Sequence, residues 1–217
     1  MVPNRATIVK AFTAALVLSL GLAGCATSPA EPVSSPSPSA SSTQVPVASR
    51  IVISGDGLAV ESADGALLSS IPFSEDVMAA RASLTTVIGS EPTVTHVAED
   101  ICSFDHDKYD WNGLSLVPLN SGPFRAERAF SVELTAPKVG RSLSLESSDG
   151  TTVGMSADSL KASSGAIAGQ GEGNQYFTYD ATPVAGEAGV FWGALVGVNA
   201  DGTVKSFTAP SLTPDYC

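Results

Sequence analysis

Apolar and polar positions divide this chain into three regimes. Ala11 to Leu22 is almost continuously apolar, after a short start that carries Arg5 and Lys10. Ala26 to Ser49 is dominated by Ser, Pro, Ala and Thr, with Pro29, Pro32, Pro36, Pro38 and Pro46, no aromatic residue, and Glu31 as its only charge. From Arg50 onward apolar residues recur with regular spacing. Phe130, Val132 and Leu134 alternate with Ser131, Glu133 and Thr135, and Leu143 and Leu145 with Ser144 and Glu146, which is the period of half-buried strands.

Turns and one helix punctuate this third regime. Ser62-Ala-Asp-Gly65, Ser147-Ser-Asp-Gly150 and Asn199-Ala-Asp-Gly202 each lie between apolar alternating segments, with Gly placed for a left-handed conformation; they read as three hairpins. The clearest helix runs from Ser74 to Ile88, with Ser74 as N-cap, Glu75 and Asp76 in its first turn, Val77, Leu84, Val87 and Ile88 on one face, and Gly89 and Pro92 as its stop. Leu160 to Ile167 is a weaker second helix that dissolves into Gly169, Gly171 and Gly173. The stretch Gly169-Gln-Gly-Glu-Gly173 reads as a flexible connector rather than a phosphate cradle, because it leads into the strand-like Tyr176, Phe177 and Tyr179 instead of a helix.

The chain also echoes itself. Leu58–Gly65 reappears as Leu143–Gly150, Ser74-Glu-Asp76 as Ser156-Ala-Asp158, and Trp111-Asn-Gly-Leu as Trp192-Gly-Ala-Leu, at offsets of 85, 82 and 81 residues. These echoes predict an α+β domain over 50–217: an antiparallel sheet with one or two helices on one face, built as two tandem β-hairpin–helix–β repeats, 50–120 and 126–217. Trp111 and Trp192 are expected at equivalent core positions.

The amino-terminal regimes describe attachment. Residues 1–24 have the basic start, apolar run and small closing residues of an export signal, too short to span a bilayer. Leu22-Ala23-Gly24-Cys25 resembles the lipobox of bacterial lipoproteins. That resemblance implies cleavage before Cys25, diacylglyceryl transfer to its thiol, amino-terminal acylation, and residence on the extracytoplasmic face of a bacterial cell membrane. Residues 25–49 then form the lipidated Cys and a disordered tether, or a glycosylated stalk, averaging about 30 Å from end to end. The mature domain, with Cys102 and Tyr109-Asp-Trp-Asn-Gly-Leu114, resembles uncharacterised actinobacterial lipoproteins, and in element order the tandem-repeat modules of β-lactamase-inhibitor proteins and small outer-membrane-assembly lipoproteins.

Charge and cysteine count narrow the partners. The formal charge is −11, and removing the leader with Arg5 and Lys10 takes it to −13, which excludes nucleic acid and electrostatic membrane binding. The membrane is therefore a partner only through acyl chains on Cys25. In an oxidising compartment the remaining cysteines, Cys102 and Cys217, are expected to form one disulfide.

Candidate chemistry is sparse. Asp105, His106, Asp107 and Asp110 form the densest polar group and offer ligands for a hard cation, but lack the order of a calcium loop; a solvated loop is the competing reading. His96 is expected on a strand face. There is no Gly-x-Ser-x-Gly elbow, Ser-x-x-Lys or His-Glu-x-x-His, so neither catalytic residue nor cofactor is assigned. The reading is a surface-tethered, non-catalytic lipoprotein that binds an extracytoplasmic protein or envelope polymer. The alternative is a cell-envelope hydrolase with a convergent site at Asp105, His106 and Asp107.

Overall fold

Period-two alternation builds both sheets of this protein. A computed structural model of the chain describes residues 46–99, 104–119, 128–162, 167–171, 174–185 and 188–213. The first sheet contains β1 (Ala48–Ile53), β2 (Gly57–Ser62), β3 (Leu67–Pro72), β8 (Lys138–Val139) and β9 (Leu143–Ser147), in the order β3-β2-β1-β9-β8. The second contains β4 (Thr93–Val97), β5 (His106–Asp110), β6 (Leu114–Pro118), β7 (Phe130–Leu134), β10 (Ile167–Gly171), β11 (Asn174–Pro183), β12 (Phe191–Val198) and β13 (Val204–Thr213). Its order is β10-β11-β12-β13-β7-β6-β5-β4, antiparallel throughout.

Register shows how alternation sorts the larger sheet into two faces. Leu114, Leu134, Phe207, Val196 and Phe177 are successive cross-strand neighbours, and all five are buried. One position along, the row is Thr93, Asp110, Ser115, Glu133, Thr208, Leu195, Thr178 and Ile167, polar for most of its length. The apolar face joins Ile51, Ile53, Leu58, Leu143 and Leu145 of the smaller sheet in one core. Phe73, just past β3, meets Phe130 of β7 edge-on at 5.5 Å, and the Tyr179 hydroxyl donates to the Ile53 carbonyl at 3.2 Å, so contacts of both kinds tie sheet to sheet. Burial pushes the Tyr179 phenol well above its ordinary pKa, and the nearby Asp180 and Asp149 carboxylates add to the shift.

The α+β expectation is therefore corrected: the protein is mostly β, with two sheets around the core rather than one sheet under helices. Nor do hairpin–helix–β repeats organise it. The echoing segments Leu58–Gly65 and Leu143–Gly150 supply β2 and β9, which flank β1 within a single sheet, one antiparallel and the other parallel. Arg50 of β1 spans them, 2.6 Å from Glu61 and 3.3 Å from Glu146.

The main helix, α1, spans Val77–Ile88 and starts later than its sequence suggests. Asp76, with extended backbone, accepts from the Met78 and Ala79 amides at 2.9 and 3.2 Å and so caps the helix in place of Ser74. The Glu75 amide instead closes a turn onto the Pro72 carbonyl. Gly89, at φ 78°, returns its N–H to the Thr85 carbonyl and ends the helix as expected. Ala80, Leu84 and Ile88 are its buried face, with Val77 and Val87 packed beside them. The second helix, α2, is only Asp158–Ala162. Ile167 opens β10, whose five residues pair in register with β11, so tertiary pairing overrides a weak helical pattern and places Gly169 and Gly171 in a strand rather than a connector.

The three Asp-Gly turns share one geometry. Gly65, Gly150 and Gly202 have φ of 82°, 83° and 83°, and their amides return to Ser62, Ser147 and Asn199. In the first two, the serine hydroxyl donates to the following Asp and accepts the amide of Ala66 or Thr151; in the third, Thr203 donates to Asp201. The Ser62 hydroxyl holds the Asp64 carboxyl below the usual carboxylate range, and the Thr203 hydroxyl does the same for Asp201. Two turns close hairpins, β2–β3 and β12–β13. The third does not: after Ser147–Thr151 the chain crosses to the start of β13, where the Gly154 amide donates to the Val204 carbonyl and Ala157 to that of Gly202.

Candidate functional site

Strand pairing brings together residues that sequence spacing keeps apart. His96 of β4 stands opposite Asp107 of β5. Its Nε2 lies 3.2 Å from Asp105 and its Nδ1 3.4 Å from Asp107, and all three side chains are at least half exposed. Both ring nitrogens thus face carboxylates, and the group is an exposed polar clasp between β4 and the entry to β5.

The sequence-adjacent acids do not converge. In β5 alternation puts His106 and Asp110 on one face and Asp107 on the other. His106 stacks on Phe104 at 4.7 Å, and its Nδ1 lies 2.7 Å from the Phe104 carbonyl. Asp110 accepts the Asn112 amide at 2.6 Å within the β5–β6 turn. Among the described residues no group of three His, Cys, Asp or Glu side chains is arranged to hold a metal ion. Cys25, Cys102 and Cys217, and with them the expected anchor and the expected disulfide, lie outside the described residues.

Both tryptophans are buried, but not equivalently. Trp111 precedes β6, belongs to the main core and donates through Nε1 to the Ser90 carbonyl at 3.0 Å. Trp192 lies within β12 in a smaller cluster with Val184, Val190 and Leu212, under the Arg128 guanidinium. Arg128 in turn reaches Asp56 at 2.9 Å.

A polar row crosses much of the larger sheet. The buried residues of α1, and Leu160 of α2, pack into the core on the opposite face. Ser115 and Thr178 are sunk into the row, whereas Asp110, Glu133, Thr208 and Leu195 keep partial exposure. Lys108 of β5 bridges to Glu133 of β7 at 3.2 Å, passing over β6. No single residue in the sequence announces this surface. Its signal is the alternation of Ser131 and Glu133 with Phe130, Val132 and Leu134, which marks a strand without marking the sheet face it joins.

These features define a mostly β, two-sheet fold with an exposed His–Asp clasp. Comparison with family models, curated proteins and solved structures returns no match. Among the described residues no helix is long and apolar enough to cross a membrane.

Proposed function

We propose that this protein is a lipid-anchored, non-catalytic binding module on the extracytoplasmic face of a bacterial membrane. The attachment half of the reading rests on the Leu22-Ala23-Gly24-Cys25 motif behind its apolar run, and on the Ser/Pro tether that follows. A formal charge of −11 gives an anionic leaflet nothing to attract, so acyl chains do the holding and the domain stands off. The binding half rests on one observation: a cross-strand row, polar from Thr93 of β4 to Thr208 of β13, on the face of the eight-stranded sheet opposite the core. Its partner is an extracytoplasmic protein or envelope polymer.

The hydrolase alternative draws no support from the adjacent Asp105, His106 and Asp107, because His106 and Asp107 stand on opposite faces of β5 and the His106 Nδ1 faces a backbone carbonyl. Attachment is tested by Cys25→Ala. The parent chain is expected to partition into detergent and to incorporate labelled fatty acid, and the variant to do neither. A variant that still partitions and labels removes the anchor.

A further inference from the structure

Four strand edges are left unpaired among the described residues, and they are not alike. β8 is two residues long. β3 ends in Pro72, and its register against β2 shifts between Val60 and Glu61. β10 carries Gly169 and Gly171. These are the devices that blunt a strand edge: shortness, proline, irregularity and weak strand formers. β4 has none of them within its own length, although Pro92 stands just before it. It pairs with β5 in unbroken register over all five residues, contains no proline, glycine or acid, and exposes Thr93, Val94, Thr95 and His96. Two acids bracket it, Glu91 and Glu99, both exposed.

The edge also offers apolar purchase. Val94 is 47% exposed and Met78 of α1 53%, two of the five large apolar side chains left exposed among the described residues. Beneath them lies Tyr109, a buried core residue that is the cross-strand neighbour of Val94, with its hydroxyl 3.7 Å from the Met78 sulfur. Arg81 lies over the same ring at 4.9 Å and pairs with Glu91 at 3.4 Å.

The geometry points to β4 as an addition site for an extended, basic segment of another protein, an inference that rests on the binding reading above. Backbone pairing along an edge supplies affinity, and alternate side chains supply selectivity. Opposite Val94 the site takes an apolar or β-branched residue. Opposite Glu91 and Glu99 it takes Lys or Arg, eight residues apart. A second copy of this chain fits poorly: antiparallel pairing about Thr95 sets Glu91 against Glu99 twice, between two molecules that each carry −11.

The test uses the full chain and two nine-residue synthetic probes with alternating Thr and Val, one ending in Lys at both ends and the other in Glu. The Lys-ended probe is expected to bind at least tenfold more tightly by fluorescence anisotropy, and to slow amide exchange at residues 93–97. Glu91→Lys with Glu99→Lys, both at exposed positions, is expected to reverse the preference and to lower the melting temperature by no more than about 4 °C, the cost of losing the exposed Arg81–Glu91 pair. Absence of protection at 93–97, or a preference untouched by the charge reversal, overturns the assignment. Dimerisation of the free chain through the same strand, seen by sedimentation, also overturns it in favour of a second copy. If neither probe binds while cellular crosslinks from the polar row persist, the edge assignment falls and the binding reading stands.

Discussion

Phe130→Ala is expected to destabilise the protein by about 3–5 kcal/mol, a large share of the roughly 5–15 kcal/mol that holds a domain of this kind together. Phe130 has no exposed surface and opens β7, at the centre of the eight-stranded sheet. Its ring meets Phe73 edge-on, and the Ala129 amide beside it donates to the Phe73 carbonyl at 2.7 Å, so the residue sits where the two sheets are joined. Truncation removes the transfer energy of a large side chain and leaves a cavity lined from both sides. Both sheets share one core, so they are expected to melt together: far-ultraviolet circular dichroism and tryptophan fluorescence should shift in parallel, by about 2–4 °C for each kcal/mol lost. A loss below about 1 kcal/mol, or sheets that melt separately, contradicts the shared core.

Gly113→Ala is the second large effect, and its origin is backbone rather than core. Asn112 and Gly113 have φ of 60° and 125°, and the Trp111 amide donates to the Leu114 carbonyl at 2.9 Å; together they make the tight turn joining β5 to β6. An L-residue at such a φ costs about 1–2 kcal/mol. Here a Cβ also falls 2.8 Å from the Lys138 carbonyl oxygen and 2.9 Å from the Ala136 Cβ, because the turn docks against the chain entering β8. Overlap of that kind adds about 1–3 kcal/mol. Gly150→Ala is the matched control, since Gly150 has φ of 83° and open space around it. Chemical denaturation of the two variants should show Gly113→Ala clearly the worse. Equal losses contradict the close approach.

The contrast between these turns explains what the sequence discloses. Asp-Gly and Asn-Gly turns are decided by residues that touch one another within five positions, so their geometry is legible. All three Asp-Gly turns form as the composition suggests, with the same glycine conformation. Where each turn sends the chain is decided elsewhere. Ser147–Thr151 repeats the Ser62–Ala66 turn, yet it leads not into a hairpin but across to β13. The parallel pairing of Arg50–Ile53 with Ser144–Ser147 joins segments more than ninety residues apart, and no local period records it. That pairing completes the smaller sheet, whose packing against the larger one around a shared core is what the α+β expectation lacked.

The candidate site was legible to the same degree. Asp105 and Asp107 stood out as a dense polar group, but the histidine that meets them is His96 from the neighbouring strand rather than His106 beside them. Alternation within β5 turns His106 away, and only the β4–β5 register delivers His96. Glu91 and Glu99 likewise gain meaning once β4 is known to be an edge.

The proposed binding is tested most directly in intact cells, with a photo-crosslinking residue at Thr208 on the polar row and, as control, at exposed Ser70 on β3. The account predicts a discrete macromolecular adduct from position 208 and none from position 70. No adduct above background from position 208, or the same adducts from both, contradicts it.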